Sequence, residues 1–134
     1  MNNMGKHYEV VAALIVRGEE IFCCQRGNKG ECALKWEFPG GKIEQDESHE
    51  EALIREIKEE LNSTIKVIKY ITTIQHQYNS FSLTMHVYEC ELVEGKLELS
   101  EHLNFMWLRK ERLNQVDFAD ADKKIVSVIL HNLL

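Results

Sequence analysis

The sequence predicts one α/β domain, spanning residues 1–134, in which a mixed sheet lies between helices. Two segments carry apolar residues at a helical period, one in the middle of the chain and one at its end. The other apolar runs alternate or are rich in β-branched residues, which is typical of strands. The predicted order of the main elements is β-β-β-α-β-β-β-α, with one further short strand in the second half. A chain of 134 residues is long enough to bury the core that this arrangement needs.

Three strands are predicted before the first helix. The run YEVVAALIV is apolar and β-branched, and Gly18 predicts a tight turn after it. Pro39 disfavours helix in the residue before it, so the chain should enter it extended. Gly40 and Gly41 then predict a turn in which the backbone approaches a ligand closely. The predicted strands are residues 8–16, 21–26 and 36–38, with a loop at residues 27–33.

The first helix has clear start and stop signals. Ser48 followed by Glu51 is a capping-box pattern, so the helix is predicted to begin at Ser48. Asn62 is predicted as a left-handed C-cap. The apolar stripe expected to pack on the sheet is Leu53, Ile54, Ile57 and Leu61.

The second half of the chain predicts four strands and a closing helix. Asn79 and Ser80 supply a turn between the first two strands, and Gly95 marks a later turn. The predicted strands are residues 63–77, 81–92, 96–99 and 105–108. The helix is predicted at residues 120–133, with apolar positions Ile125, Val126, Ile129, Leu130 and Leu133.

Charge and composition narrow the class of partner. The net charge of −6 argues against a nucleic-acid duplex, because phosphate backbones attract basic surfaces. The chain has no apolar run long enough for a membrane span and no signal-peptide pattern, which predicts a cytoplasmic protein with a polar, frayed start. Its cysteines lack CxxC spacing, which favours free thiols over a zinc site or a disulfide framework. They are Cys23, Cys24, Cys32 and Cys90.

Three glutamates of the first helix form an unusual group. Glu56, Glu59 and Glu60 stand at i, i+3 and i+4, so their carboxylates point to one face. Like charges at this spacing destabilise a helix unless a positive partner lies between them. A divalent cation with oxygen ligands is one such partner, and a solvated acidic face is the alternative.

The glutamates belong to a longer pattern that resembles the Nudix box, G-x5-E-x7-R-E-U-x-E-E-x-G-U, where U is a bulky aliphatic residue. Gly41, Glu47 and the run REIKEE at 55–60 match six of its glycine or polar positions in register. Asn62 and Ser63 depart from its last two positions, where glycine and an aliphatic residue are usual. The resemblance implies a Nudix-type α/β/α sandwich that hydrolyses a phosphoanhydride.

Similarity to the MutT-like and CTP-pyrophosphohydrolase-like members of that family extends over almost the whole chain. WEFPGGK at residues 36–42 resembles their sequence, as does the Gln25-Arg26 pair. Further residues at matching intervals are Glu101, Trp107, Phe118 and Asp122. The similarity implies hydrolysis of a nucleoside triphosphate to the monophosphate and pyrophosphate by a monomer or homodimer.

The resemblance also implies an Mg²⁺ cofactor, or Mn²⁺, and a role for each residue of the box. The implied ligands are the Gly40 carbonyl and the carboxylates of Glu56, Glu59, Glu60 and Glu101. Glu56 is expected to position the attacking water, with Glu101 the alternative base. Arg55 is expected to orient the carboxylates through Glu47.

Substrate choice is expected to depend on Asp122, which resembles the position of a base-reading asparagine in MutT-like proteins. An ionised aspartate only accepts hydrogen bonds, so it suits the exocyclic amine of cytosine. The predicted substrate is therefore CTP, dCTP or an oxidised or methylated form of these nucleotides. The structural alternative is that Asp122 is an acid at the helix N-terminus, stabilised by the helix dipole. The other candidate substrate contacts are Arg26, Phe38, Lys42 and Tyr78.

Each of these contacts also has a structural interpretation. Phe38 and Tyr78 equally suit the core, and Arg26 suits a salt bridge at a strand edge. The alternative functions are an 8-oxo-dGTP diphosphatase, then a hydrolase of diadenosine polyphosphates or ADP-ribose, then a nucleotide-binding regulator without turnover.

Overall fold

A computed structural model describes residues 5–132 of the protein, so the expectations for residues 1–4 and for Leu133 lie outside the described residues. The helices and strands, in chain order, are β1 (Lys6–Arg17), β2 (Glu20–Gln25), β3 (Trp36–Glu37), β4 (Gly40–Lys42), α1 (His49–Leu61), β5 (Thr64–Gln77), β6 (Phe81–Glu94), β7 (Asn104–Arg109), a 3₁₀ helix (Lys110–Gln115) and α2 (Asp120–Asn132).

The sheet is mixed, as predicted. Its order is β3-β2-β1-β6-β5, with β4 paired to β1 and β7 paired to β2. The β1 and β6 strands run parallel, whereas the other pairs are antiparallel. Residues Val10–Ala12 of β1 pair with β4, but Val16 and Arg17 pair with β2. The antiparallel partner of β1 therefore changes along its length, from β4 in its middle to β2 at its end, and β4 and β2 diverge from each other.

Alternation along β1 divides the core into two layers. Ala12 and Leu14 pack in the same cluster as Ile125 of α2. Val11 and Ala13, on the opposite face, pack with residues of α1. Cys23 and Cys24 likewise lie in opposite layers, as their adjacent positions predict. The α/β/α sandwich expected from the sequence is confirmed.

Both predicted caps of α1 are present. Ser48 Oγ accepts from the Glu51 amide at 3.1 Å, and Glu51 Oε1 accepts from the Ser48 amide at 2.9 Å. Asn62 adopts φ 49° and ψ 43°, and its amide donates to the Lys58 carbonyl. The predicted stripe is wrong at Ile54, which is 37% exposed, and the buried face of the helix includes Ala52 instead.

Three hydrogen bonds fix the start of α2 against the rest of the domain. The Trp36 amide donates to the Asp117 carbonyl at 3.0 Å, and the Ala119 amide donates to the Trp36 carbonyl at 2.9 Å. The Ala121 amide donates to the Tyr78 hydroxyl at 2.8 Å. Since the first amides of a helix have no partner within it, the Ala121 bond caps α2, and the two Trp36 bonds anchor the segment that leads into it.

Two sequence predictions of local structure are wrong. Gly40 and Gly41 lie in strand β4 and do not form a turn; a Cβ at Gly40 would lie 1.9 Å from the Val11 carbonyl oxygen. Residues 96–99 form no strand, because their amides bond to the end of α1 and the residue after its cap. The Leu97 amide donates to Ser63 Oγ at 2.8 Å, and the Glu98 amide donates to the Leu61 carbonyl at 2.9 Å.

The bond between Tyr78 and α2 can be tested by removing one oxygen. Tyr78→Phe leaves the buried Ala121 amide without its partner, so we expect the free energy of unfolding to fall by about 1–3 kcal/mol. Urea denaturation of both proteins measures the change. Tyr70→Phe is the matched control, because Tyr70 is 54% exposed and its hydroxyl contacts Thr73 at the surface. Equal losses in the two variants would contradict this role for Tyr78.

Candidate active site

A cleft of about 460 Å³ brings together residues that are far apart in the sequence. It lies beside β4 and is bounded by the loop after β2, the turn between β5 and β6, and the start of α2. Five residues predicted to contact substrate line it: Arg26, Phe38, Lys42, Tyr78 and Asp122. Gly40 and Glu60, both predicted metal ligands, line it as well. The roles of these residues remain predictions, but all of them line the same cleft.

Arg55 is the centre of an ion-pair network on the outer side of α1. Its Nε and Nη2 donate to the two oxygens of Glu47 at 2.6 and 2.9 Å, a bidentate contact. Its Nη1 donates to Glu56 at 2.9 Å and to Glu59 at 3.2 Å. The guanidinium holds the pKa of Glu47 at about 2, so Glu47 stays ionised. This is the contact through which Arg55 was expected to orient the carboxylates.

Glu56 is held against strand β4 because position 41 has no side chain. A Cβ at Gly41 would lie 2.3 Å from the Glu56 carboxylate. The Glu56 side chain is 14% exposed, and burial raises its pKa although the Arg55 contact opposes the shift. A partly buried carboxylate with a raised pKa is suited to accept a proton near neutral pH.

Glu60 is the most perturbed carboxylate of the box. Its Oε1 is buried and has no hydrogen-bond partner among residues 5–132. Burial raises its pKa to about 8, and the charges of Glu37, Glu56 and Glu101 act in the same direction. A buried anionic oxygen without a partner is costly, and a divalent cation would remove that cost. The chemistry of this position therefore fits a metal with oxygen ligands.

The remaining two predicted ligands lie further out. Glu59 is 60% exposed and contacts Arg55. Glu101 is exposed in the loop before β7 and lines a second depression, of about 540 Å³, together with Glu60. The two depressions share Arg26, Glu37 and Glu60, so Glu101 stands on the far side of Glu60 from the cleft.

Asp122 lies at the inner end of the cleft and is 5% exposed. Its Oδ2 accepts from the Phe38 amide at 3.0 Å. Burial raises the pKa of Asp122 well above its ordinary value, and the charge of Glu37 adds to this effect. A protonated carboxyl both donates and accepts, so burial widens the set of bases that Asp122 can read beyond the set for an ionised aspartate.

The other predicted substrate contacts also have structural partners. Phe38 is 3% exposed and stacks on Phe118 with ring centroids 5.1 Å apart, so it belongs to the core as well as to the cleft wall. Arg26 donates to Glu37 at 3.0 Å. Lys42 Nζ lies 4.2 Å from the centroid of the Tyr8 ring.

Sequence reasoning missed two residues of this site, Glu37 and His102. Glu37 accepts from Arg26 through one oxygen and from His102 Nε2, at 2.8 Å, through the other. Both line the depression that contains Glu60. Glu37 precedes Phe38 within the WEFPGGK run, and His102 follows Glu101, so each is adjacent in sequence to a predicted site residue.

Comparison with known proteins decides the family. The family model described as "NUDIX domain" matches residues 10–128. The chain belongs to the NUDIX domain family. This confirms the resemblance found in the sequence and the prediction of a Nudix hydrolase.

Similar proteins cover almost the full length of this Nudix chain. The CTP pyrophosphohydrolase of Escherichia coli K12 is 34% identical over 125 residues, which is 93% of each chain. The 8-oxo-dGTP diphosphatase of the same organism is 31% identical over 119 residues, covering 87% of this chain and 92% of that protein. The solution structure of the E. coli ORF135 protein has a TM-score of 0.82 and 34% identity, covering 94% of this chain and 90% of that chain.

In the part of the chain that the structure covers, no helix is both long and apolar enough to cross a membrane.

The raised pKa of Glu60 predicts how the stability of the metal-free protein depends on pH. The pKa of its carboxyl is 4.5 in the unfolded chain and about 8 in the folded protein, so ionisation between these pH values favours the unfolded state. The free energy of unfolding should therefore fall as pH rises through this window. Glu60→Gln should reduce the fall by an amount on the order of 2 kcal/mol.

Urea denaturation with a chelator present, at several pH values across the window, measures this effect. Glu56 and His102 also have raised pKa values and act in the same direction, but both remain in the variant. The difference between the two proteins thus reports the ionisation of Glu60 together with its electrostatic effect on His102 and Glu56. An identical pH dependence in the two proteins would show that Glu60 ionises normally.

Proposed function

We propose that this Nudix protein is a Mg²⁺-dependent nucleoside triphosphate pyrophosphohydrolase that acts on cytidine nucleotides. The observation that carries the proposal is the unpartnered Glu60 carboxylate, which faces the cleft that contains Gly40 and the predicted substrate contacts. The similarity to the E. coli CTP pyrophosphohydrolase over 93% of both chains supports the same activity here.

The metal would be held by oxygen donors of β4, α1 and the loop before β7. These are the Gly40 carbonyl and the carboxylates of Glu56, Glu59, Glu60 and Glu101. Mg²⁺ prefers such a set and Mn²⁺ fits it too. When bound, the ion supplies positive charge to the phosphoryl oxygens and lowers the pKa of water.

The chain's own residues would then direct one hydrolytic step. A water oxygen forms a bond to one of the two phosphorus atoms of the α–β anhydride, and the bridging oxygen leaves with the other. The products are the nucleoside monophosphate and pyrophosphate. Glu56 takes the proton from water, with Glu101 the alternative base. Arg55, bound to Glu47, keeps the Glu56 carboxylate in place.

Asp122 would read the base at the inner end of the cleft. One of its oxygens accepts from the Phe38 amide, which fixes the carboxyl in the orientation that it would present to the nucleotide. An acceptor at this point suits the cytosine amine. A second candidate substrate is 8-oxo-dGTP, because the raised pKa of Asp122 allows it to donate as well. Similarity to the E. coli 8-oxo-dGTP diphosphatase supports this alternative.

The cellular setting we propose is the cytoplasm, where the protein would act as a monomer or homodimer. Cys23, Cys24, Cys32 and Cys90 are free thiols in the structure, and Cys23, Cys24 and Cys90 are buried. Thiols kept free in this way are typical of a reducing compartment. The net charge of −6 favours a small metal-bound nucleotide over a nucleic-acid duplex.

The reaction is tested by measuring pyrophosphate and phosphate release from a panel of nucleotides, with Mg²⁺ and with a chelator. We expect pyrophosphate to be released only with Mg²⁺. Because Glu59 is a predicted ligand, Glu59→Gln should lower the rate at least about tenfold. Glu50→Gln is the matched control, since Glu50 is an exposed glutamate of α1 outside the predicted ligand set. Release of phosphate alone, or equal rates for both variants, would disprove the mechanism.

Base reading is tested by the steady-state rates for CTP, dCTP, 5-methyl-dCTP and 8-oxo-dGTP. Asp122→Asn keeps an oxygen for the Phe38 amide but changes the hydrogen-bonding pattern offered to the base. We expect kcat/KM for cytidine nucleotides to fall about tenfold relative to 8-oxo-dGTP. Asp120→Asn, which alters an exposed acid of the same helical turn, should leave the preference unchanged. A preference that is the same in both variants and the parent protein would remove Asp122 from the base-reading role.

A further inference from the structure

Three potential metal ligands meet beside the site already described. The sulfur of Cys24, a carboxylate oxygen of Glu37 and a ring nitrogen of His102 lie within 4.8 Å of one another. They come from strands β2 and β3 and from the loop before β7. Cys24 is fully buried, and the side chains of Glu37 and His102 are 17% and 7% exposed. None of the three belongs to the Nudix box.

The donor types differ from those of the α1 glutamates. Mg²⁺ takes oxygen ligands and retains water, so the carboxylates of α1 suit it. A thiolate, an imidazole and a carboxylate together suit a borderline cation such as Zn²⁺. The two sets of residues therefore select for different ions although they are close in space.

A second observation points to a ligand at this cluster. His102 Nδ1 is buried and has no hydrogen-bond partner among the described residues, while Nε2 is bonded to Glu37. A buried ring nitrogen without a partner is uncommon in a folded protein, and a bound cation is one of the few groups that would satisfy it.

Two of the three ligands can be reached from solvent. Glu37 and His102 line the depression of about 540 Å³, whereas Cys24 is fully buried and does not line it. Burial raises the pKa of the Cys24 thiol well above its ordinary value, and the charges of Glu37 and Glu60 add to this rise. A cation that binds here therefore has to displace the thiol proton.

We propose that Cys24, Glu37 and His102 form a binding site for a divalent cation of the Zn²⁺ class, separate from the magnesium site of α1. Binding forms a metal–sulfur bond, and the Cys24 thiol proton is released to solvent. Glu37 has a second oxygen, which keeps its contact with Arg26. The ion would join β2, β3 and the loop before β7 at the edge of the substrate cleft.

The test uses the full-length, tag-free protein, stripped of metal and titrated with Co²⁺ as a spectroscopic probe. Sulfur coordination gives a near-ultraviolet charge-transfer absorption that oxygen ligands do not produce. We expect this absorption to saturate at one equivalent of Co²⁺, to persist in excess Mg²⁺, and to disappear when Zn²⁺ displaces the probe.

Variants assign the site. Cys24→Ser should abolish the absorption, and His102→Gln should weaken Co²⁺ binding at least tenfold. Cys90→Ser is the matched control, because Cys90 is equally buried in the same core layer but lies outside the cluster. Glu56→Gln removes a predicted magnesium ligand and should leave unchanged the Co²⁺ concentration that gives half of the sulfur-type absorption. Circular dichroism tests whether each variant is folded. If Cys24→Ser does not fold, His102→Gln assigns the site.

Three results would overturn the proposal. They are the absence of sulfur-type absorption in the parent protein, the same absorption in Cys24→Ser, and loss of this absorption in Glu56→Gln. All readouts are binding measurements, so they stand apart from any result on nucleotide hydrolysis.

Discussion

The contact between Arg55 and its carboxylates is the interaction on which the site depends. One guanidinium bonds to Glu47, Glu56 and Glu59 and donates to the Lys42 carbonyl at 2.9 Å, which ties α1 to the end of β4. A single positive charge cannot neutralise three carboxylates. The network therefore fixes the geometry of the acidic face but leaves it negative, and Glu60, which Arg55 does not contact, keeps an unsatisfied oxygen. A divalent cation would balance this remaining negative charge.

Close approach of α1 to the sheet makes that geometry attainable. Leu53, Ile57 and Leu61 are fully buried under the sheet, and each contributes about 1.5–3 kcal/mol to holding the helix there. Their burial brings Glu56 against β4, where a side chain at Gly41 would collide with it. The apolar face of the helix thus sets the position of the acidic face. A glycine strand, rather than the turn expected from the sequence, receives the carboxylate.

Local signals in the sequence predicted most of the fold. The cap residues Ser48 and Asn62 fixed the ends of α1 because their hydrogen bonds are formed within a few residues. The prediction of a strand at residues 96–99 was wrong because the Leu97 amide bonds to Ser63, a partner that no local pattern reveals. The site shows the same division. The box glutamates were found by their spacing, but His102 enters the site through Glu37, 65 residues away in the sequence.

Glu37 connects the two ends of the cleft. It bonds to Arg26 and His102, and its negative charge raises the pKa of both Asp122 and Glu60. Asp122 belongs to α2, which Trp36 and Tyr78 anchor, whereas Glu60 belongs to α1 on the other side of the sheet. The residue expected to read the base and the residue expected to bind metal therefore share one electrostatic neighbour. A positive charge that approaches Glu37, whether from a phosphate-bound metal or from a cation at Cys24 and His102, favours ionised Asp122 and with it an acceptor for the cytosine amine.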